Sequence, residues 1–345
     1  MEIQEYIDGI TDAARKNAII SAFDSVFECL EAHRVRNNLD DSELNIRVFE
    51  DKVIQAFASE DFNSIQFSTG LVEHYEKTVF PELSMLLPGA PAVLGANWIV
   101  DLGLAWSLSH EYFHIIRKHD SAQRSIGEAK ALDVSKVPQR KRAALNLSQE
   151  ELDKAFEHDA DLCAIAGIYR YIQRRFRGFL DDMVIRKMAL FYVYWGIRSL
   201  PEYAASDTHP SLSDRLYELC AKLAQVKEAP FVKSYTVGED LAQQIERVPE
   251  LARFAINIER ICMSQNGIAE SDALYIKWHN YIGKSEHTRR ARAWQKVSIW
   301  VEEVSGTLAD NSKDIFYNRK KAAKVKASLL KQQRKSQRSA RRRSK

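Results

Sequence analysis

The chain has 345 residues, of which 45% are hydrophobic and 10% aromatic, and this composition excludes a disordered or fibrous protein. Its cysteines form no C-x-x-C pair, which argues against a disulfide scaffold or a cysteine-based zinc knuckle and fits a reducing cytoplasm. The net charge of +3 averages two unlike regions. Residues 319–345 hold 13 Lys or Arg and no Asp or Glu, so residues 1–318 have a net charge of −10.

No stretch of the sequence combines the length and the apolar character of a membrane span. The opening MEIQEYIDGI is acidic and lacks the apolar region of a signal peptide. Residues 84–107 are apolar but contain two prolines, Asn97 and Asp101. Residues 188–197 are apolar but far shorter than the roughly 20 residues that a span needs. We therefore expect a soluble, cytoplasmic protein without an integral membrane segment.

The first hundred residues predict helices around a small sheet. Apolar residues at helical spacing, including Ile19, Phe23 and Leu30, predict the first helix, and alternation with period two predicts the strands. In chain order, the predicted elements are a helix over residues 10–36, strands over 45–49 and 65–68, a helix beginning within 70–78, and a loop over 80–100.

Beyond residue 100, every predicted element is a helix. Ser148-x-x-Glu151 is a capping box, which marks a helix start. Residues 120–147 contain Gly127, Pro138 and a basic cluster, and predict a mobile insertion. The predicted helices cover residues 102–118, 148–176, 186–199, 211–225, 248–263 and 289–308. The fold class that follows is α+β, predominantly helical, with a small N-terminal sheet and C-terminal helices.

The helix over 102–118 carries the pattern H-E-x-x-H. His110 and His114 are four residues apart, so they share one helix face and their imidazoles can bind one metal. Glu111 lies beside them, where it can take a proton from a metal-activated water. A chance occurrence in a chain with nine histidines is the alternative, and this motif by itself leaves both interpretations open.

A catalytic zinc needs a third protein ligand. The metzincin pattern would place a histidine at position 120, which is Asp120, and His119 is out of register. The gluzincin pattern uses a glutamate on a later helix, and Glu157 fits it, with Asp161 one turn on to hydrogen-bond a ligand histidine. Glu157 could instead be a solvated helix residue. The apolar residues that follow indicate a core helix, where an unpaired carboxylate is costly. We expect His119 and His158 to be surface or supporting residues.

Three motifs together resemble a known family. HEYFHIIRKH at 110–119, EHDAD at 157–161 and THPSLSDR at 208–215 occur in the order found in gluzincin metallopeptidases of the HtpX and CAAX-prenyl-protease type. Upstream, QAFA and FSTGLV resemble that family's N-A-F-A turn and the strand that leads into T-G-L. The resemblance covers about residues 45–225, and it implies a zincin-like core.

Carried over residue by residue, the resemblance implies one zinc ion held by His110, His114 and Glu157, with Glu111 as general base. It implies that His209 stabilises the tetrahedral oxyanion and that Asp161 and Arg215 support the site. A peptide substrate would lie along an edge strand, which the resemblance places at Ile65, Gln66, Phe67 and Ser68.

The sequence also departs from that family. The best-known members have transmembrane helices beside the site, and Gln55 stands where the family has asparagine. A soluble branch, of the kind of the Lit-type phage-exclusion peptidases, is the closer comparison. Nothing after about residue 230 resembles the family. The expected division is a zinc metallopeptidase domain over 1–228 with its insertion at 120–147, a helical accessory region over 229–318, and a basic tail over 319–345.

The expected function is zinc-dependent hydrolysis of peptide bonds in a protein or peptide substrate. One alternative is a catalytically silent protein that binds nucleic acid or the ribosome through the basic tail, whose cations could displace counterions from phosphates. The tail has no aromatic residue after Tyr317 on which bases could stack, and it could equally be a solvated segment. Another alternative is a structural helical protein with a decayed metal site.

Overall fold

A computed structural model describes residues 1–36, 44–78, 87, 97–176, 178–200, 212–226, 237–266 and 286–306. This part of the chain is mainly helical, with one small sheet, which confirms the predicted class. The N-terminal elements are α1 (Ile3–Asp8), α2 (Ala13–Arg36), β1 (Asn45–Phe49), β2 (Ala56–Ser59), β3 (Ser64–Ser68) and α3 (Thr69–Lys77). The next elements are α4 (Asn97–Ile116), α5 (His119–Lys130), α6 (Arg142–Leu145) and α7 (Gln149–Phe176). The remaining helices are α8 (Asp182–Ser199), α9 (Leu212–Gln225), α10 (Val237–Asn266) and α11 (Glu286–Ser305).

The sheet has three strands in the order β1-β3-β2. Strand β1 is parallel to β3, with Asn45 opposite Ser64, and β2 is antiparallel to β3, with Ala56 opposite Phe67. The expectation that Ile65–Ser68 forms an edge strand is wrong, because β3 pairs on both sides and is the central strand. Its Ile65 and Phe67 are fully buried. Within the described part of the chain, β2 pairs on one side only, and it replaces the expected turn.

Helix α4 lies at the centre of the main core, where it contacts α2, α3, α7, α8 and the sheet. Its Leu104 and Leu108 have no exposed surface. Close packing against α3 requires Gly103, because a Cβ there would lie 2.7 Å from the ring of Tyr75. The helix that carries H-E-x-x-H is therefore held from several sides, and the positions of its histidines are set by packing.

Residues 119–147 are not the expected loop. They form α5, two short 3-10 turns (Val134–Lys136 and Gln139–Lys141) and α6. Ala122, Ile126 and Ala129 lie on one face of α5 and are buried against α11. These elements, α7 and α11 share a second apolar cluster, which includes Ala122, Ile126, Ala144, Leu152, Phe156, Trp294, Val297 and Trp300. The insertion is a packed part of the fold, because α11 covers its apolar face.

The helices after residue 229 are also part of the fold. Val248, Leu251 and Ile258 of α10 belong to the main core, where α10 packs on α8 and α9. The buried ion pair between Arg198 and Glu259, with a nitrogen–oxygen distance of 3.2 Å, links α8 to α10. Of the described helices, none is long and apolar enough to cross a membrane.

Candidate metal centre

Helices α4 and α7 bring the three predicted ligands together. Donor atoms of His110, His114 and Glu157 all lie within 4.8 Å of one another. The Nε2 atoms of the two histidines are 3.2 Å apart. His110 Nε2 is 3.0 Å from Glu157 Oε2, and His114 Nε2 is 3.4 Å from Glu157 Oε1. The cluster is buried and could hold a metal ion.

The spacing of these donors fits a tetrahedral cation. Zinc–nitrogen and zinc–oxygen bonds of about 2.0–2.1 Å place neighbouring ligands of a tetrahedron about 3.3 Å apart. The two histidine Nε2 atoms are 3.2 Å apart, close to that value, and Glu157 approaches His110 through Oε2 at 3.0 Å and His114 through Oε1 at 3.4 Å. Two imidazoles and one carboxylate are also the ligand types of catalytic zinc sites that keep a fourth position open. One donor atom from each residue lies within 4.8 Å of the others, so the set could hold a divalent metal ion.

The electrostatics of the cluster also favour a cation. Burial lowers the pKa of His110, but the carboxylates of Glu157 and Asp161 more than offset this effect and raise it to about 10. Burial, together with the neighbouring histidines His119 and His110, lowers the pKa of His114 to about 3 although Glu157 opposes the shift. The carboxylates thus stabilise positive charge at the point where the three donors meet. A divalent cation bound there would take the place of the proton on His110.

Asp161 and Arg215 lie behind His110. Asp161 Oδ1 is 3.0 Å from His110 Nδ1, and Arg215 binds both carboxylate oxygens of Asp161 at 2.7 Å. Burial raises the pKa of Asp161, but Arg215 and His110 outweigh burial and hold it below its usual range. Arg215 also lies over the ring of Trp106, 5.4 Å from its centroid. The carboxylate therefore stays ionised next to His110, at ion-pair distance from its Nδ1.

A second group of residues, which was not predicted from the sequence, lies behind His114. His119 Nδ1 is 2.9 Å from His114 Nδ1, and its Nε2 is 3.1 Å from Asp159 Oδ2. Arg117 Nε donates to the same Asp159 oxygen at 2.7 Å. His119, expected to be a surface or supporting residue, is 1% exposed. The residue that signals this group in the sequence is Asp159, an acid in a core helix two residues from Glu157.

The remaining predicted site residues have different outcomes. Glu111 is half-buried on α4, beside the ligand His110. His158 is buried and is not part of the three-residue cluster. His209 and the basic tail over 319–345 lie outside the described residues. The substrate strand placed at Ile65–Ser68 is the central strand of the sheet, as described above.

Comparison with protein-family models, with curated proteins and with solved structures finds no match. The site thus rests on its own geometry. It is a buried His-His-Glu cluster on two packed helices. Asp161 lies behind His110, and His119 lies behind His114.

Proposed function

We propose that the protein is a zinc-dependent endopeptidase with a zincin-like core. The observation that carries the proposal is the convergence of His110, His114 and Glu157, whose donor atoms, one from each residue, lie within 4.8 Å of one another. The order of the three sequence motifs, similar to gluzincins of the HtpX and CAAX-prenyl-protease type, supports the same assignment. Small exposed fractions of His114 and Glu157, 19% and 14% of their side chains, are consistent with an open coordination position.

In the proposed mechanism, the residues of the chain bind and orient the reactants and move one proton. His110, His114 and Glu157 would hold a zinc ion, which would supply a Lewis acid for the scissile carbonyl and the attacking water. Glu111 accepts the proton of the attacking water and delivers it to the leaving amine. Asp161, held by Arg215, keeps the ring of His110 in place. We assign stabilisation of the oxyanion to His209 on the strength of the T-H-P motif.

In this proposal, the strand that pairs with the substrate is β2 and not Ile65–Ser68. In the described part of the chain, β2 has a strand partner on one side only, and α4 packs against it. An extended peptide can pair with such an edge through main-chain hydrogen bonds. Phe57 of β2 is 44% exposed and offers an apolar contact for a substrate side chain. A protein or peptide segment in extended conformation is therefore the proposed substrate.

Glu111→Gln separates catalysis from metal binding. We expect the variant to keep zinc, because the three ligands are intact, and to lose peptide cleavage by at least about a hundredfold, because an amide cannot accept the proton. Metal content is measured on protein purified without added zinc, and cleavage is measured by comparing the peptides produced in cells. The exposed Glu128→Gln on α5 is the matched control and keeps full activity.

Cleavage at the wild-type rate by zinc-loaded Glu111→Gln protein would refute the assignment of Glu111. A wild-type protein without metal would refute the zinc peptidase as a whole. The catalytically silent nucleic-acid-binding protein is the alternative, and it rests on the basic tail alone. Deletion of 319–345 tests it, because nucleic-acid retention that is unchanged by the deletion removes its basis.

A further inference from the structure

A continuous set of contacts runs from α11, the last of the described helices, to the His-His-Glu cluster. The ring of Trp294, on α11, lies against Arg117, with 5.8 Å from its centroid to Arg117 Cζ. Arg117 donates to Asp159, Asp159 bonds His119, and His119 bonds His114. Every residue behind His114 in this series is at least 90% buried. Trp294, 177 residues after Arg117 in the sequence, thus packs against the support of a metal ligand.

The contacts of Asp159 favour one arrangement of the protons on the two histidines. Asp159 accepts a hydrogen bond from Arg117 at 2.7 Å within an ion pair, so this carboxylate also acts as the acceptor toward His119. A carboxylate that accepts makes His119 the donor from Nε2, and in the neutral tautomer with that proton its Nδ1 keeps a lone pair. That lone pair accepts the Nδ1 proton of His114 at 2.9 Å. His114 Nε2 then carries the lone pair that faces the cluster, which is the form that binds a metal.

The backbone at Lys118 makes this contact possible. Lys118 has φ 53° and ψ 50°, in the left-handed region, and it separates α4 from α5. The reversal at this residue turns His119, the first residue of α5, back onto the end of α4. The ring of Phe156 then packs on His119, with centroids 5.0 Å apart. Phe156 and Trp294 both belong to the second apolar cluster, so that cluster confines the His119 ring.

We propose that His119 is a positioning residue for the metal centre, and that Arg117, Asp159 and Trp294 of α11 hold it in the orientation that presents His114 Nε2 to the metal. This inference rests on the proposed metal site and not on peptidase activity. It assigns α11 a role in the metal centre, because this helix completes the packing behind one ligand.

The first test measures zinc affinity by competition with a chromophoric chelator. His119→Leu keeps the bulk but removes the acceptor, and we expect a loss of about 10–100-fold in affinity. His119→Asn places a carbonyl oxygen at the position of Nδ1, and we expect this variant to keep most of the wild-type zinc affinity. Wild-type affinity in His119→Leu would overturn the proposal. Equal losses in the two variants would also overturn it, because the acceptor would then play no part.

The second test compares two tryptophans of α11. Trp294 and Trp300 are both buried in the second apolar cluster, but Trp300 packs on Lys141, with 4.3 Å from Lys141 Nζ to its ring centroid. We expect Trp294→Ala to weaken zinc binding several-fold and Trp300→Ala, its matched control, to leave zinc affinity unchanged while it lowers stability. Equal effects of the two substitutions on affinity would overturn the role of Trp294.

A third measurement needs no metal. Long-range nitrogen–proton NMR spectra of the chelator-treated protein report which ring nitrogen carries the proton. We expect His119 protonated at Nε2 and His114 at Nδ1, and a His114 protonated at Nε2 instead would overturn the proposal. If the wild type binds zinc and shows no cleavage, the peptidase assignment fails and this inference stands. If cleavage is zinc-dependent but His119→Leu matches the wild type in zinc affinity, the peptidase assignment stands and this inference fails.

Discussion

The acidic residues of helices α4 and α7 differ in whether a cation neutralises them. Asp159 and Asp161 each bond an arginine at 2.7 Å and remain ionised despite being buried. A buried charge with a well-placed partner is tolerated, whereas one without a partner is costly. Asp101 of α4 is equally buried, and its Oδ1 has no hydrogen-bond partner among the described residues. Asp101 should therefore bind a proton at a higher pH than Asp159 and Asp161 do.

Asp101 predicts a pH dependence of stability. Burial raises its pKa from 3.8 to about 6, although a hydrogen bond from Ser25 opposes the shift. Because the folded state binds this proton more tightly than the unfolded state, its contribution to stability is lost as pH rises from about 4 through 6. We expect Asp101→Asn to remove this loss and to be more stable than the wild type at pH 7.5 by about 1–3 kcal/mol.

Urea denaturation at pH 4.5 and 7.5 measures the difference between Asp101→Asn and the wild type. The difference should be small at the lower pH and favour the variant at the higher pH. Asp24→Asn, an exposed substitution on α2, is the control and should leave stability unchanged at both. A difference that is the same at the two pH values would show that Asp101 does not titrate in this range.

At the scale of elements, glycine sets how closely α4 approaches its neighbours. A Cβ at Gly103 would lie 2.7 Å from two ring atoms of Tyr75, whose hydroxyl is held by Ser107 at 2.8 Å. Tyr75 cannot shift without breaking that bond in the core. We expect Gly103→Ala to lower the free energy of unfolding by about 1–3 kcal/mol, as overpacked cores do.

The control for that substitution is Gly127→Ala on α5, where a new Cβ would meet no atom within 4 Å. Alanine favours helix over glycine, so this variant should gain up to about 1 kcal/mol in the same urea titration. Opposite signs for the two variants are the expected result. A neutral Gly103→Ala would mean that the contact between α3 and α4 relaxes at little cost.

The elements that local signals specify were predictable, and those that distant packing specifies were not. The Ser148–Glu151 capping box forms as predicted, with reciprocal hydrogen bonds of 2.9 and 3.1 Å. Helix α7 begins at Gln149, directly after Ser148. Strand β2 has four residues, too few for a period-two pattern to stand out. The segment 120–147 looked like a loop because its covering helix, α11, lies far along the chain.

The same distinction applies within the site. His110 and His114 were predictable from their spacing on one helix, and Glu157 from a second helical motif. The support behind His114 was not, because it depends on the left-handed backbone at Lys118 and on an apolar cluster built from distant segments. A histidine five residues after a ligand carries no periodic signal that would place its ring against that ligand.

At the scale of the whole molecule, the candidate metal site of His110, His114 and Glu157 lies where the main core and the second apolar cluster meet. The main core supplies Trp106, whose ring centroid is 5.9 Å from that of His110 and 5.4 Å from Arg215 Cζ. The second apolar cluster supplies Phe156 and Trp294 on the side of His114. Helix α7 contributes residues to both clusters. A metal ion bound here would therefore tie together segments on both sides of the molecule, and its binding energy would add to the stability of the folded chain.

Zinc should consequently stabilise the protein by mass action. At a free zinc concentration one hundred times the dissociation constant, we expect a gain of about 2.7 kcal/mol in the free energy of unfolding. A chelator should reverse the gain in thermal or urea denaturation. Glu111→Gln should show the full gain because its ligands are intact. His110→Ala should show almost none, because it removes both a ligand and the partner of Asp161. An equal gain in His110→Ala would place the zinc elsewhere in the chain.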